Sequence, residues 1–264
     1  VTIPSIYFVR STPVEIREIF KSAFNCNEID ISLSYPMTNY IMVYYTIQEK
    51  ITIDASMLEQ KICWAVLPWQ DKIEIELTQH YGTKDGAILA KKFGSILSKG
   101  YLANVSWGQL VKDIENMVVL GKSKNMHCVL EHCEEKFESK ETSILRIYML
   151  NTDFVLSDIV PILDNMGVMS LRQRKYEFNN DHDHYRIMNI SITAKERMLC
   201  LTGVRAQEFL NALINILDGQ YTNDCLNILL LMMDTTVAKI DIIRTYIAYL
   251  EQIRCDFSAE FMRE

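Results

Sequence analysis

Two short stretches of this chain carry side chains that can bind a metal ion or transfer a proton. In the first, His127-Cys128 is followed five residues later by His132-Cys133. Structural zinc takes pairs of ligands from two separated segments. Both pairs here lie in one segment, and the sequence has no further pair of this kind elsewhere. The other stretch, Asp181-His182-Asp183-His184, lies at a predicted hairpin turn, whereas catalytic groups need a pocket and an orienting partner. We therefore predict neither a metal site nor catalytic residues in these stretches.

The common signatures of cofactor binding and catalysis are also missing from the sequence. The chain has only 9 glycines and no glycine-rich phosphate loop, and it has no nucleophile elbow. Glu74 and Glu76 are two residues apart on a predicted helix, so they do not share a face and cannot act as an acid–base pair. We predict that this chain is not itself catalytic and that it holds no cofactor.

Composition narrows the class of protein further. Hydrophobic residues make up 49% of the 264 residues and charged residues 23%, which is typical of a globular core. The net charge of −7 argues against a nucleic acid and against an anionic membrane surface as partners. The sequence has no apolar run long enough to span a bilayer. An odd number of cysteines, 7, favours reduced thiols and a cytoplasmic location.

The most regular stretch of the chain runs from Thr142 to Thr193 and has the pattern strand, helix, strand, strand. Alternating apolar residues predict the strands, and apolar residues at helical spacing followed by Gly167 predict the helix. The predicted elements are Ser143–Leu150, the turn at Asn151-Thr152-Asp153, the helix at 156–167, Ser170–Phe178, a turn at Asn179–His184, and Met188–Thr193. This order is that of half a ferredoxin-like sheet.

The remaining chain divides by its periodicity, and residues 1–53 repeat the same order of elements in a more diverged form. The predicted fold class is α+β, with two ferredoxin-like βαββ modules joined and flanked by helical bundle segments. The predicted domains are a partial module at 1–53, helices at 54–120, a polar linker at 121–141, a second module at 142–217, and helices at 218–264. Both ends look cut, so we expect a piece of a longer protein.

Several motifs, in the same order, resemble those of the large bacterial NAD-dependent glutamate dehydrogenases, in their N-terminal non-catalytic region. The clearest is near the end, where Asp218-Gly219-Gln220 leads to Asn223-Asp224 and Asn227, and then to DIIRTYIAYLEQI at 241–253. The helix at 156–167 followed by Tyr176-Glu177 is similar to another stretch of the family. A further similarity includes Trp69-Gln70-Asp71, His80-Tyr81-Gly82, Ala90-Lys91-Lys92-Phe93 and Gly100-Tyr101.

This resemblance implies that the βαββ modules are ACT-like and that the helices connect them to an enzyme body. The family enzyme oxidises L-glutamate to 2-oxoglutarate and ammonium with NAD as a large homo-oligomer. Its glutamate-binding lysines and dinucleotide fold lie beyond a segment like 241–264, so the implied partners are the chain's own catalytic domain and other subunits. The implied role is regulation or assembly, with NAD bound by the parent enzyme alone.

ACT-like modules commonly pair edge to edge and hold an amino acid near the first strand-to-helix turn. In this chain the corresponding residues are Asn151, Thr152, Asp153 and Ser157. The turn has no glycine to let backbone amides approach a carboxylate, so purely structural pairing is the preferred interpretation. The alternative hypotheses are a stand-alone ACT-like module that docks a protein or an amino acid, and an enzyme based on the His/Cys or Asp/His stretches.

Overall fold

The computed structural model divides the chain into two compact units, Val1–Ser95 and Ile96–Glu264. It describes residues 1–8, 12–26, 28–34, 39–47, 54–120, 125–137, 140–152, 154–180, 182–195, 201, 203–233 and 235–253. Among these residues, none of the helices combines the length and apolar character that crossing a membrane requires. The two units are described separately below.

In its described residues, the first unit combines a small antiparallel sheet with four α-helices and a 3₁₀ turn at Ser5–Tyr7. Its elements are β1 (Thr2–Pro4), α1 (Thr12–Phe24), β2 (Asp30–Ser34), β3 (Tyr40–Thr46), α2 (Ala55–Val66), α3 (Trp69–Tyr81) and α4 (Thr83–Gly94). The sheet order is β1-β3-β2, which is the order expected for a βαββ module. Ile16 and Phe20 of α1 pack with Ile3 and Val43 of the sheet, so the helix covers one sheet face.

Proline and glycine set the helix boundaries in this unit. Asp54 caps α2, since its Oδ1 accepts hydrogen bonds from the backbone N–H groups of Ser56 and Met57 at 3.0 and 3.4 Å. Pro68 separates α2 from α3, because proline lacks the backbone N–H that a continuous helix requires. Gly82 ends α3 with a φ of 82°, a backbone conformation that favours glycine.

The second unit is built on a four-stranded antiparallel sheet. Its elements are α5 (Lys99–Leu102), α6 (Trp107–Val119), β4 (Met126–Phe137), β5 (Lys140–Leu150), α7 (Leu156–Asn165), β6 (Val168–Asn179), β7 (His184–Ala194), α8 (Gly203–Leu217), a 3₁₀ turn at Cys225–Ile228, α9 (Leu229–Met232) and α10 (Val237–Gln252). The strand order is β4-β5-β7-β6. The predicted βαββ pattern is therefore present as β5, α7, β6 and β7.

The polar composition of 121–141 predicts a linker, and that prediction is wrong, because β4 lies in this segment. It pairs antiparallel with β5, from Met126 opposite Met149 to Phe137 opposite Lys140. Met126 and Cys128 of β4 are buried in the core, and Leu130 packs against it. An edge strand needs only one apolar face, so its average composition resembles that of a linker.

The core of the second unit lies between one face of the sheet and helices α7 to α10. Leu145, Ile147 and Met149 of β5 share this face with Met188, Ile190 and Ile192 of β7. The helices contribute further buried residues of the same cluster: Ile159, Leu163, Phe209, Leu213, Leu230, Ile240 and Ile247. Each of these side chains is at most 5% exposed, and burial of such a side chain contributes roughly 1.5–3 kcal/mol relative to exposure.

The opposite face of this sheet is partly covered by α5 and α6. Tyr148 points to this face, because successive strand residues alternate and its neighbours Ile147 and Met149 enter the core. Tyr148 and Tyr101 both bond to Asp113 of α6, which attaches these helices to the sheet. The helical segment predicted over 54–120 is thus divided between the two units, at Ser95 and Ile96.

Candidate functional site

The His/Cys stretch lies on β4, where its side chains diverge. His127 stacks on Tyr148 with ring centroids 6.3 Å apart, whereas the adjacent Cys128 enters the core on the other face. Burial raises the pKa of the Cys128 thiol to about 12, with Asp218 adding to the effect, so the thiol stays protonated. Within the described ranges, no three His, Cys, Asp or Glu side chains are grouped to hold a metal ion.

The Asp/His stretch forms the turn of the β6–β7 hairpin. The Oδ1 of Asn180 accepts hydrogen bonds from the backbone N–H groups of His182 and Asp183, at 2.9 and 2.7 Å. This is an Asx turn, a common local use of asparagine. Asp181 lies outside the described residues. The turn predicted over Asn179–His184 is therefore present, and its described bonds are those of a hairpin connection.

The turn between β5 and α7, where the sequence analysis placed an effector, is held by its own polar groups. Asn151 has a φ of 54°, a left-handed conformation that asparagine tolerates. Its Oδ1 accepts a hydrogen bond from the His184 backbone N–H at 2.8 Å. The Thr152 hydroxyl donates to the Leu150 carbonyl at 3.0 Å, Ser157 is exposed, and Asp153 lies outside the described residues. Effector binding at this turn stays a prediction.

A buried arginine supports the same turn from below. Arg186 donates from Nη1 to the Thr152 carbonyl at 3.2 Å and from Nε to Glu177 Oε1 at 3.1 Å. Lys175 also pairs with Glu177, at 2.7 Å. The Lys175 hydrogen bond, with Arg186 nearby, lowers the pKa of the Glu177 carboxyl. These contacts attach the Thr152 carbonyl to β6 and β7.

A buried carboxylate site that the sequence analysis did not find joins α6 to the sheet. Asp113 is fully buried and accepts hydrogen bonds from the hydroxyls of Tyr101 and Tyr148, at 2.6 and 2.7 Å, and from Gln109 Nε2 at 2.7 Å. Burial, reinforced by Asp113, raises the pKa of both tyrosines, so both hydroxyls remain donors. Tyr101 also contacts the rings of Tyr176 and Phe178 edge-on. This hydrogen-bond network has a structural role, because it attaches α5 and α6 to the sheet.

A second polar cluster, which we call the Arg244 cluster, ties α10 to the preceding loop. Arg244 donates to both carboxylate oxygens of Asp224, at 2.9 and 2.8 Å, and to Asn227 Oδ1 at 2.6 Å. It also bonds to the carboxylate of Asp241 on its own helix. The hydrogen bond that Arg244 donates to Asp224 is the main cause that raises the pKa of Arg244. The bidentate pair fixes both distance and angle between the loop and the helix.

The residues of the Arg244 cluster are among those on which the sequence resemblance rests. Asp224 and Asn227 belong to the motif after Gly219, and Arg244 belongs to the helix motif at 241–253. The structure brings the two motifs together through direct hydrogen bonds. The resemblance therefore rests on residues that act together physically.

The second unit thus defines the class of this protein as an α+β chain with an ACT-like sheet followed by a helical motif. Comparison with protein families agrees with this class. Residues 130–202 match the ACT3 domain of glutamate dehydrogenase, and residues 221–264 match its helical motif 3. The match to the ACT3 domain begins within β4. The predicted resemblance to NAD-dependent glutamate dehydrogenases is confirmed, because two stretches of this chain match domain models of glutamate dehydrogenase.

Two bacterial proteins show the extent of the likeness. The NAD-specific glutamate dehydrogenase of Pseudomonas aeruginosa is 20% identical over 265 residues, which cover 98% of this chain and 16% of that protein. The NAD-specific glutamate dehydrogenase of Halomonas elongata is 21% identical over 215 residues, which cover 81% of this chain and 13% of that protein. The chain therefore spans a small part of the length of each relative.

Proposed function

We propose that this chain is a regulatory and assembly segment of a large NAD-dependent glutamate dehydrogenase, and that it is not catalytic by itself. The whole enzyme would oxidise L-glutamate to 2-oxoglutarate and ammonium in the cytoplasm, with NAD bound by its catalytic part. The observation that carries this proposal is the alignment of 98% of the chain with only 16% of a named relative. The ACT3 and helical motif 3 matches give it further support.

The outer face of α10 supports an assembly role. Val237, Ile240 and Ile247 of this helix are buried in the core of the second unit. On the other side, Ile242, Tyr246 and Tyr249 are 55%, 66% and 57% exposed and line a shallow cleft. A helix that is apolar on both faces is typical of a position between two packed layers. We assign the outer face to the parent enzyme's own catalytic part, because most of each relative's length lies outside the match.

The test starts from the gene that encodes this chain, read beyond Glu264. A downstream dinucleotide-binding module is expected, and a stop codon there would exclude the proposed parent enzyme. In the full-length protein, the substitution Tyr246→Asp would place a charge in the apolar contact. The expected result is a large loss of NAD reduction with glutamate, together with smaller particles in light scattering.

The matched control for this substitution is Ala248→Asp. Ala248 is also exposed on α10, but it does not line the cleft. We expect Ala248→Asp to leave particle size and glutamate oxidation unchanged. Equal effects of the two substitutions would refute the assignment of this face, because they would reflect added charge rather than a lost contact.

The alternative function is a stand-alone ACT-like module that docks a protein or an amino acid. An apolar cleft of about 530 Å³ between β1 and α2 favours it, with Ile3, Tyr7, Leu58 and Ile62 in its walls. This alternative predicts a stable monomer whose reading frame ends near Glu264. It also predicts that the substitution Ile62→Glu would abolish binding of the partner and leave the fold of the second unit intact.

A further inference from the structure

The outer face of the second unit's sheet contains a polar cavity that the proposed function does not use. It has a volume of about 480 Å³, which is within the usual range for small-molecule sites. It lies at the N-terminal end of α6, over a part of this sheet face that Tyr148 and Tyr101 leave uncovered. Three arginines line it, and we call it the arginine pocket: Arg146 of β5 with Arg172 and Arg174 of β6.

Strand register explains why these arginines meet. Arg174 lies opposite Asn189 of β7, and Asn189 in turn lies opposite Arg146 of β5. These two arginines and the asparagine form one row across the sheet. Arg172 lies opposite Ser191, one step along the same face. An irregularity in β6 between Ser170 and Arg172 adjusts the register there. All these side chains therefore project from one face.

The positive charge in this pocket is only partly balanced. Arg146 is buried, and its Nε donates to Glu131 Oε2 at 3.0 Å. Arg174 donates to the neutral Asn104 amide at 3.2 Å. Among the described residues, none forms a hydrogen bond or an ion pair with the Arg172 side chain. The described walls contain no aspartate or glutamate. Arginine side chains placed together without carboxylates favour an anionic ligand.

Two further features point toward a ligand. The first turn of α6, capped by Ser106, borders the pocket and contributes the positive end of the helix dipole. Asn189 lines the pocket, and its Oδ1 is buried with no hydrogen-bond partner among the residues that the structure describes. A buried acceptor without a partner is costly, and a donor on a bound ligand would satisfy it.

We propose that the arginine pocket binds a small organic acid that carries two anionic groups and a hydroxyl or amino group. The anionic groups bond to Arg172 and Arg174, and the donor reaches Asn189. The charged groups that face the pocket are Arg146, Arg172 and Arg174, with Glu131 and Lys112 behind Arg146. This inference does not depend on the proposed function, because the site lies entirely within the second unit.

The experiment is calorimetric titration of the purified chain with L-malate, succinate and pyrophosphate. Malate and succinate differ by one hydroxyl, and pyrophosphate tests phosphate in place of carboxylate. We expect malate to bind more tightly than succinate and every affinity to fall as salt is added. Stronger binding of pyrophosphate than of malate would support the site and assign it to a phosphorylated ligand. An absence of heat with all three probes would overturn the proposal.

The decisive variant is Arg172→Gln, and its matched control is Lys175→Gln. Arg172 is exposed on β6, so its replacement leaves the core untouched. Loss of one charge-assisted contact should weaken malate binding by about tenfold. Lys175 lies on the same strand but pairs with Met188, so it faces away from the pocket. Its replacement should leave malate affinity unchanged, and equal losses in both variants would overturn the proposal.

A second variant tests the role of the asparagine. Asn189→Ala removes the acceptor that would recognise the ligand hydroxyl. We expect it to bring malate affinity down to that of succinate, with succinate affinity unchanged. If the preference for malate persisted in this variant, the assignment of Asn189 as a specificity residue would be wrong. Circular dichroism of each variant establishes that the sheet is retained.

Discussion

Arg244 and Arg172 lie in the same unit of this protein and have opposite surroundings. Arg244 bonds to two carboxylates and to the Asn227 amide oxygen, and its side chain is only 13% exposed. Arg172 is exposed beside a cavity, and the described part of the chain supplies its side chain with no ion-pair partner. Arg244 therefore belongs to a cluster whose charge is balanced by its own carboxylates, which we call closed. Arg172 belongs to a cluster whose positive charge is only partly balanced, which we call open.

This difference separates structural charge from charge that is available to a ligand. A partly buried arginine is stable only when acceptors replace its lost water, so the acceptors around Arg244 are needed for folding. An exposed arginine needs no such partner, because water solvates it. Arginines in one row across a sheet repel one another, and Glu131 balances their charge only in part. A bound anion would relieve that repulsion. The two regions should therefore respond differently to substitution.

The largest effect is expected at Asp113. This fully buried carboxylate accepts three hydrogen bonds from its own chain, so its cluster is also closed. Asp113→Ala would leave the hydroxyls of Tyr101 and Tyr148 without their acceptor inside the protein. We expect the free energy of unfolding to fall by about 3–5 kcal/mol. Urea denaturation followed by tyrosine fluorescence measures this change.

The matched substitution is Tyr148→Phe, which removes one donor and leaves two others on Asp113. We expect a loss of about 1–2 kcal/mol. A cost at Asp113 that was no larger than the cost at Tyr148 would contradict a shared network. It would mean that water enters and satisfies the tyrosine hydroxyls.

An intermediate effect is expected when each arginine of the comparison is replaced by lysine. Lysine keeps the charge but cannot form the bidentate pair with Asp224 or reach Asn227 at the same time. Arg244→Lys should lower the free energy of unfolding by about 1–3 kcal/mol, whereas Arg172→Lys should change it by less than about 0.5 kcal/mol. Thermal and urea unfolding of both variants give the comparison. Similar losses for the two substitutions would remove the distinction between closed and open clusters.

The predicted βαββ elements were confirmed because they depend on local patterns. Alternating apolar residues such as Leu145, Ile147 and Met149 mark a strand with one buried face, and Gly167 marks the end of a helix. Strand β4 was missed because an edge strand with polar and charged neighbours has the composition of a loop. Its pairing with β5 depends on a partner strand, which local composition does not reveal.

The polar clusters were harder to predict for a related reason. Asp113 and Tyr148 are 35 residues apart, and Asn104 and Arg174 are 70 apart. Their contacts arise from the placement of α6 across the sheet, which no spacing rule predicts. The Arg244 cluster was noticed only through family resemblance, which named Asp224, Asn227 and Arg244 without linking them. The His/Cys stretch shows the reverse case. Its residues are adjacent in sequence, but neighbouring side chains of a strand face opposite sides of the sheet, so His127 and Cys128 do not meet.

The smallest expected effect tests the arginine pocket by removing the negative charge of Glu131, which pairs with Arg146. Glu131→Gln would weaken the bond to Arg146 and the longer contact to Lys112 at 3.9 Å. Glu131 is 26% exposed, so the cost in stability should stay below about 1 kcal/mol. Calorimetry should show malate binding about two- to fivefold tighter, because a negative charge has left the vicinity of the pocket.

The sign of this effect distinguishes a binding site from a merely exposed arginine row. Removing positive charge at Arg172 should weaken anion binding, and removing negative charge at Glu131 should strengthen it. If Glu131→Gln weakened binding instead, Glu131 would be holding Arg146 in its binding position, and the pocket would depend on that pair for its shape. If neither substitution changed affinity, the measured anion would be bound elsewhere on the chain. Opposite changes at the two positions are therefore the result expected for an anion held between these strands and α6.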